Sequence, residues 1–384
     1  MTPEALLTAA AVRAAAERVL GRGLADDLPD WTVRLDRLPD AVALVDAVTA
    51  ANYPDGTVPM HSRWRHFELD GSDRWEEIWQ AQPRAGDPHE RLLAEWDLAV
   101  ISVLLDAGAG PDWRYRDARK GQTWSRSEGL ALATLEAFGA GRFGAPCQAD
   151  GPTLASLSAE AAQRIFQVST ANPMVGIDTR AAVIQRLGDL IGSQRPSAFL
   201  LKRLAPLPAP IRAEDLLQAV LALVLTLWPD RPALEGQPLG DCWQDSAGKW
   251  VPLHKLAQWL TYSLVEPLQR AGSDVQDLHR LTGLAEYRNG GLFLDLGVIA
   301  PREPGVLTRR YQPGHPTIVE WRSLTVALLD RLTAAFCQHR GVDPAEWPVA
   351  KILQGGTWQA GRQLAAERRN GLPPLTIVSD GTVF

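Results

Sequence analysis

Apolar positions along this chain recur mostly at helical spacing and seldom in strict alternation, which predicts a mainly α protein. The first pattern opens at Thr2-Pro3, where proline presets φ at a position whose N–H has no helical partner, and runs to Gly21 or Gly23. Further helices are predicted at about 40–51, 90–107, 127–138, 158–168, 179–191, 213–228, 252–272, 317–340 and 358–368. Strand signals are few: a poorly alternating run at 291–299, and the closing TIVSDGTVF, where Asp380-Gly381 suits a tight hairpin. One or two short β pieces are expected. The most apolar run, LLQAVLALVLTLW at 216–228, is shorter than the roughly 20 residues a bilayer needs and contains Gln218, so it reads as a buried core helix and no membrane contact is expected. The Pro-rich LAPLPAPI at 204–211 reads either as a joint between helical lobes, 1–203 and 212–384, or as a surface excursion within one unit spanning 1–384.

Composition narrows the classes. With 46% hydrophobic and 22% charged residues the chain can bury a large core. A net charge of −6 supplies no general field for a polyphosphate, so a nucleic-acid polymer is not an expected partner, although a small anion needs only a local cluster. The three cysteines, Cys147, Cys242 and Cys337, are far apart and suit a reducing compartment, and the N-terminus lacks a signal peptide's unbroken apolar run. A cytoplasmic location is expected.

Five segments mix polar, charged and aromatic residues with glycines. In His61-Ser62-Arg63-Trp64-Arg65-His66, two arginines can grip a phosphate bidentately, or merely pair with surface carboxylates. In LLDAGAGPDWRYRD, the glycines read as a helix C-cap and turn; Asp106 and Asp112, near Arg114, can divide the roles of acid and ion-pair partner or serve as a cap and a salt bridge. Ser125 or Ser127 can cap the next helix, and with Arg126 that helix start is also a ready anion site. His254 and Gln258 share one helical row and Lys255 and Trp259 the adjacent one. Glu286 stands in a segment framed by Gly283 and Gly290-Gly291, read as a short turn that can project it into a cleft or leave it on the surface. No metal-ligand spacing, P-loop, dinucleotide fingerprint or nucleophile elbow occurs, so neither a metal nor an organic cofactor is expected.

The segments VPMHSRWRHFELDG, LLDAGAGPDWRYRD, GQTWSRSEGLALATLEAFGAGRFG, VPLHKLAQWLTYSLVEPLQRAG, LTGLAEYRNGGLFLDLGVI and GGTWQAGRQLA, with the closing SDGTVF, resemble the uracil-catabolism family whose domain is of unknown function. That resemblance covers nearly the whole chain and implies the ring-opening route, in which uracil becomes UMP and then a phosphoribosyl-urea type intermediate. A second, more distant resemblance, to the queuosine-salvage N-ribohydrolases, implies a helical DNA-glycosylase-like architecture. It rests on Leu157–Glu160 through Asp178–Arg180, on HKLAQWL as the lysine-bearing helix and on LTGLAEYRNGGLFLDLGVI as the catalytic hairpin. Where that family carries an aspartate before Tyr-Arg, this chain has Glu286, a carboxylate longer by one methylene.

Together these imply an enzyme that separates urea from a small phosphorylated riboside through an oxocarbenium-like state. Glu286 would stabilise that state and Lys255 would pair with it or contact the ribose. Asp106 or Asp112 would protonate the leaving nitrogen, and Arg63, Arg65 or Arg126 would hold the phosphate. His61, Arg114, Ser125, His254, Trp259, Tyr287, Arg288 and Trp358 complete the candidate substrate contacts. Two rival readings are a later amide or urea hydrolase or lyase of the same route, and a non-catalytic nucleotide sensor or scaffold that partners other uracil-catabolism enzymes.

Overall fold

A computed structural model describes residues 2–378 and is mainly helical. Its contacts divide the chain into two interleaved units, one of residues 2–61, 230–258 and 277–378, the other of residues 62–229 and 259–276. The Pro-rich segment 204–211 lies inside the second unit. The helix Lys255–Arg270 belongs to the first unit through Gln258 and to the second from Trp259 onward.

The first unit is organised around the helix Pro316–Arg340. Every residue from Thr317 to Leu329 in it is buried, because the helices Ala9–Leu24, Leu38–Asn52 and Tyr287–Asp295 pack on its different faces. Short ladders tie in the flanking loops: Trp31–Val33 runs antiparallel to Ile299–Pro301, and Cys242–Gln244 antiparallel to Trp250–Pro252. The second unit has the helix Pro88–Leu104 at its centre, buried without a break from Ala94 to Leu104 between Arg126–Gly139, Ile177–Ile191 and Pro196–Leu204. Ala213–Val224 is a buried core helix, as its composition predicts. Among the described residues no helix is long and apolar enough to cross a membrane. The three cysteines are buried and free.

Several local readings change. The N-terminal helix does not start at Pro3: a single 3₁₀ turn, Glu4–Leu6, comes first, and Ala9–Leu24 then begins behind Thr8, whose Oγ1 accepts from Ala11 N at 3.0 Å. Pro252 ends a strand and does not open a helix. The strand signal at 291–299 is overturned, because Tyr287–Asp295 is helical and only Ile299–Pro301 pairs as strand. Seven two-stranded ladders, not one or two β pieces, occur among the described residues. They escape sequence patterning because each strand is two or three residues long, too short to show alternation. The Asp380-Gly381 hairpin lies outside the described residues.

Candidate active site

Glu286 is not in a glycine-framed turn. It is the N-cap of the helix Tyr287–Asp295, with extended backbone, and its Oε1 accepts from Asn289 N at 2.6 Å. The carboxylate is half-buried. Asn289 fixes the neighbourhood: its amide donates to Leu284 O at 3.1 Å, and its Oδ1 accepts from Thr357 Oγ1 at 2.9 Å. Gly290 lies inside the helix, where a Cβ would stand 2.6 Å from the Trp321 ring; on the facing helix Trp358–Arg369 a Cβ on Gly361 would stand 2.1 Å from Arg288 O. These glycines are therefore required by close helix approach, not by a turn.

Lys255 and Glu286 are held through one buried ion pair. Asp241 receives Arg322 NH1 and NH2 at 2.8 and 2.7 Å, and Trp243 Nε1 at 2.8 Å. Its Oδ2 accepts from Lys255 N at 3.2 Å, and its carbonyl from Leu253 N and His254 N. The same Arg322 donates through Nε to Ala285 O at 3.4 Å, immediately before Glu286. One guanidinium thus ties the first turn of the Lys255 helix to the backbone that presents Glu286. Burial favours a protonated Asp241, but the Arg322 charge and its two hydrogen bonds outweigh it and hold the carboxyl well below the usual carboxylate range.

His254 and Gln258 both face inward, His254 with φ of 46° and 2% exposure. A carbonyl only accepts, so His254 Nε2–H must donate to Leu6 O, 2.9 Å away, while Gln258 Oε1 accepts from Thr282 N. Burial pushes the His254 imidazole below its ordinary value of 6.5, leaving it neutral. A group with a depressed folded value stabilises the fold above its unfolded value and loses that contribution as pH falls. Thermal melts from pH 8 to pH 5 should therefore show a decline that sets in near 6.5. His254→Asn, which tolerates the positive φ, should flatten it. A variant with the wild-type slope would contradict the neutral buried imidazole.

Beside the Glu286 helix, Leu353–Thr357 forms a π turn, a local widening that often marks functional positions, and leads into Trp358. The Trp358 ring collects Arg288 Cζ at 4.2 Å, Arg362 Cζ at 5.5 Å and the His61 ring at 5.9 Å. His61 Nδ1 pairs with Gln354 Oε1 at 2.9 Å, and Gln354 donates to Tyr53 OH at 3.0 Å. Tyr287, half-buried, stands with its ring 5.1 Å from Arg288 Cζ. The first unit therefore brings Glu286, Tyr287, Arg288, Trp358 and His61 into one neighbourhood, with Lys255 tied to it through Arg322.

The remaining candidates belong to the second unit. Arg63 is fully buried; its Nε donates to Ser102 Oγ at 2.7 Å, its NH1 pairs with Asp106 Oδ2 at 3.0 Å, and Trp259 and Phe67 flank it at 5.6 and 5.8 Å. Burial works against the Arg63 charge and lowers its proton affinity, with Asp106 and Glu128 opposing that effect. Arg65 bridges Glu266 at 2.7 Å and Glu68 at 3.0 Å. Asp112 and Arg114 are exposed, and Arg114 turns back onto Pro111 O and Trp113 O. Ser125 is the N-cap of Arg126–Gly139 by position only, without a side-chain capping bond, and Arg126 is exposed with φ of 53°. Asp106 and Asp112 thus do not act as a matched pair: one is an ion-pair partner and the other faces solvent.

Sequence reasoning missed Asp241, Arg322, Asn289 and Thr357. Arg322 carried a usable signal, a cation in the apolar first half of a helix predicted at 317–340 with Trp321, Leu324 and Leu328 around it, since an arginine in so apolar a stretch needs a buried partner. Among the described residues no group of three or more His, Cys, Asp or Glu side chains is placed to hold a metal ion.

Residues 5–384 match the family described as "Protein of unknown function (DUF1688)". The chain is 38% identical to "Protein urg3" of Schizosaccharomyces pombe over 99% of this chain and 98% of that protein. It is 32% identical to "Uracil catabolism protein 4" of Lachancea kluyveri over 92% of each. The chain therefore belongs to the DUF1688 family.

Proposed function

We propose that this protein is an enzyme of uracil catabolism that hydrolyses the N-glycosidic bond of a phosphoribosyl-urea type intermediate. The relative named for uracil catabolism supports the pathway. The observation that supports the reaction is the setting of Glu286: a half-buried carboxylate, oriented by Asn289 N, on a segment whose backbone is linked to that of Lys255 through Arg322 and Asp241. In the step, the C1′–N bond breaks and its electron pair goes to the urea nitrogen, which takes a proton. The Glu286 carboxylate stabilises the positive charge that develops on the ribosyl ring. Water oxygen bonds to C1′ and gives up a proton, so substrate and water yield urea and ribose 5-phosphate. Lys255, on the first turn of its helix, contacts the ribose hydroxyls or balances the carboxylate.

The test is to incubate the pure protein with phosphoribosyl-urea and follow products by mass. Equal release of urea and ribose 5-phosphate is expected. Urea or ammonia without free ribose 5-phosphate would instead point to hydrolysis elsewhere on the molecule, and no turnover at all would leave a sensing or scaffold role.

A further inference from the structure

Among the described residues five arginines are buried: Arg63, Arg74, Arg180, Arg288 and Arg322. Four of them have internal polar partners. Arg63 has Asp106 and Ser102, Arg74 has Asp117 at 2.9 Å, and Arg322 has Asp241. Arg180 donates to the carbonyls of Leu105, Ala107 and Val175. Arg288 is different. It is 6% exposed, and among the described residues its guanidinium makes no hydrogen bond and no ion pair; its contacts are the rings of Trp358 and Tyr287.

A guanidinium carries five N–H donors, and the faces of Trp358 and Tyr287 offer it no hydrogen-bond acceptor, so Arg288 keeps donors that a ligand can fill. The same Trp358 ring also has Arg362 Cζ within 5.5 Å, and among the described residues no carboxylate pairs with Arg288. A ligand that supplies an oxyanion would complete this arrangement, since phosphate oxygens match the guanidinium fork. The chain places that positive centre two residues from the Glu286 carboxylate, which already has its own partner in Asn289 N. Opposite charges on near neighbours suit a substrate with a phosphate at one end and a developing cation at the other.

We propose that Arg288, on the face of Trp358 and with Arg362 beside it, is the receptor for the phosphate of the substrate. This rests on the riboside reading only for what the phosphate is attached to. It moves the phosphate role away from the candidates Arg63, Arg65 and Arg126: Arg63 is already matched by Asp106, and Arg65 is shared between two glutamates.

The experiment is calorimetric titration of wild type, Arg288→Gln and Arg288→Lys with inorganic phosphate, ribose 5-phosphate, ribose and propionate, with thermal melts of each variant. Arg288→Gln should weaken phosphate and ribose 5-phosphate binding by about ten- to a hundredfold and leave ribose unchanged, and Arg288→Lys should fall between. The melting point of Arg288→Gln should hold or rise, since a buried charge without an internal partner has been removed. The proposal is overturned if wild type binds none of the anions, if Arg288→Gln binds them as wild type does, or if its melting point drops as a structural arginine's would. Propionate binding in preference to phosphate would overturn the assignment to phosphate. Inorganic phosphate binding that needs Arg288, without binding of ribose 5-phosphate, would uphold the receptor and remove the riboside reading.

Discussion

Glu286→Gln is expected to lower kcat by about 10²–10⁴ while the protein stays folded. The geometry makes this substitution unusually clean. The wild-type Oε1 accepts from Asn289 N, and the amide oxygen of glutamine can accept the same bond, so the helix keeps its cap and the melting point should shift by no more than about 1 kcal/mol in stability. What is lost is the negative charge, whose benefit is realised only as the ribosyl cation develops. Glu286→Asp keeps the charge and a good capping residue, so it should retain more activity than Glu286→Gln. Steady-state kinetics with phosphoribosyl-urea, run beside thermal melts, give both readouts. Normal turnover by Glu286→Gln at an unchanged melting point would reduce Glu286 to a helix cap and remove the main support for ribohydrolysis.

Asp241→Asn should be the most damaging change to the fold. It breaks a bidentate pair with Arg322, whose side chain is 2% exposed, and leaves that guanidinium buried without its anion, at a cost of about 3–5 kcal/mol. Asparagine also offers one acceptor where the carboxylate serves Arg322, Trp243 and Lys255 N. Activity should fall with stability, because the same pair sets the spacing of Lys255 and Glu286. The double variant Asp241→Leu with Arg322→Met separates the two effects. With both charges gone the desolvation cost disappears and much of the melting point should return, whereas kcat should not, since Lys255 N has lost its acceptor and Ala285 O its donor. Recovery of kcat in the double variant would show that the pair is structural only. The acid limb follows in sign. A carboxyl held below its ordinary value of 3.8 stabilises fully above that value and loses its contribution as pH falls beneath it, so Asp241→Asn should flatten the melting curve there.

Sequence determined what depends on near neighbours. The helices at 38–52, 88–104, 177–191, 316–340 and 358–369 were legible within a few residues, because each carries an apolar stripe at helical spacing and several have proline or a capping residue at the start. The polar segments that hold Lys255, Glu286, Arg288 and Trp358 were legible as places of unusual chemistry, and Glu286 was singled out on resemblance. Its setting was not. Gly290 looks like a turn residue in a string of letters, and only the Trp321 ring against it reveals a site of helix contact.

Tertiary structure alone decided which charges are neutralised. Arg63 finds Asp106 43 residues later and Arg322 finds Asp241 81 residues earlier, while among the described residues Arg288 meets only rings. In sequence these arginines look alike, each beside an aromatic residue. The partner of a buried charge is fixed by which helices pack together, and that depends on the summed burial of apolar faces and not on any local pattern, so a composition of 39 basic and 45 acidic residues leaves the pairing open until the chain is folded.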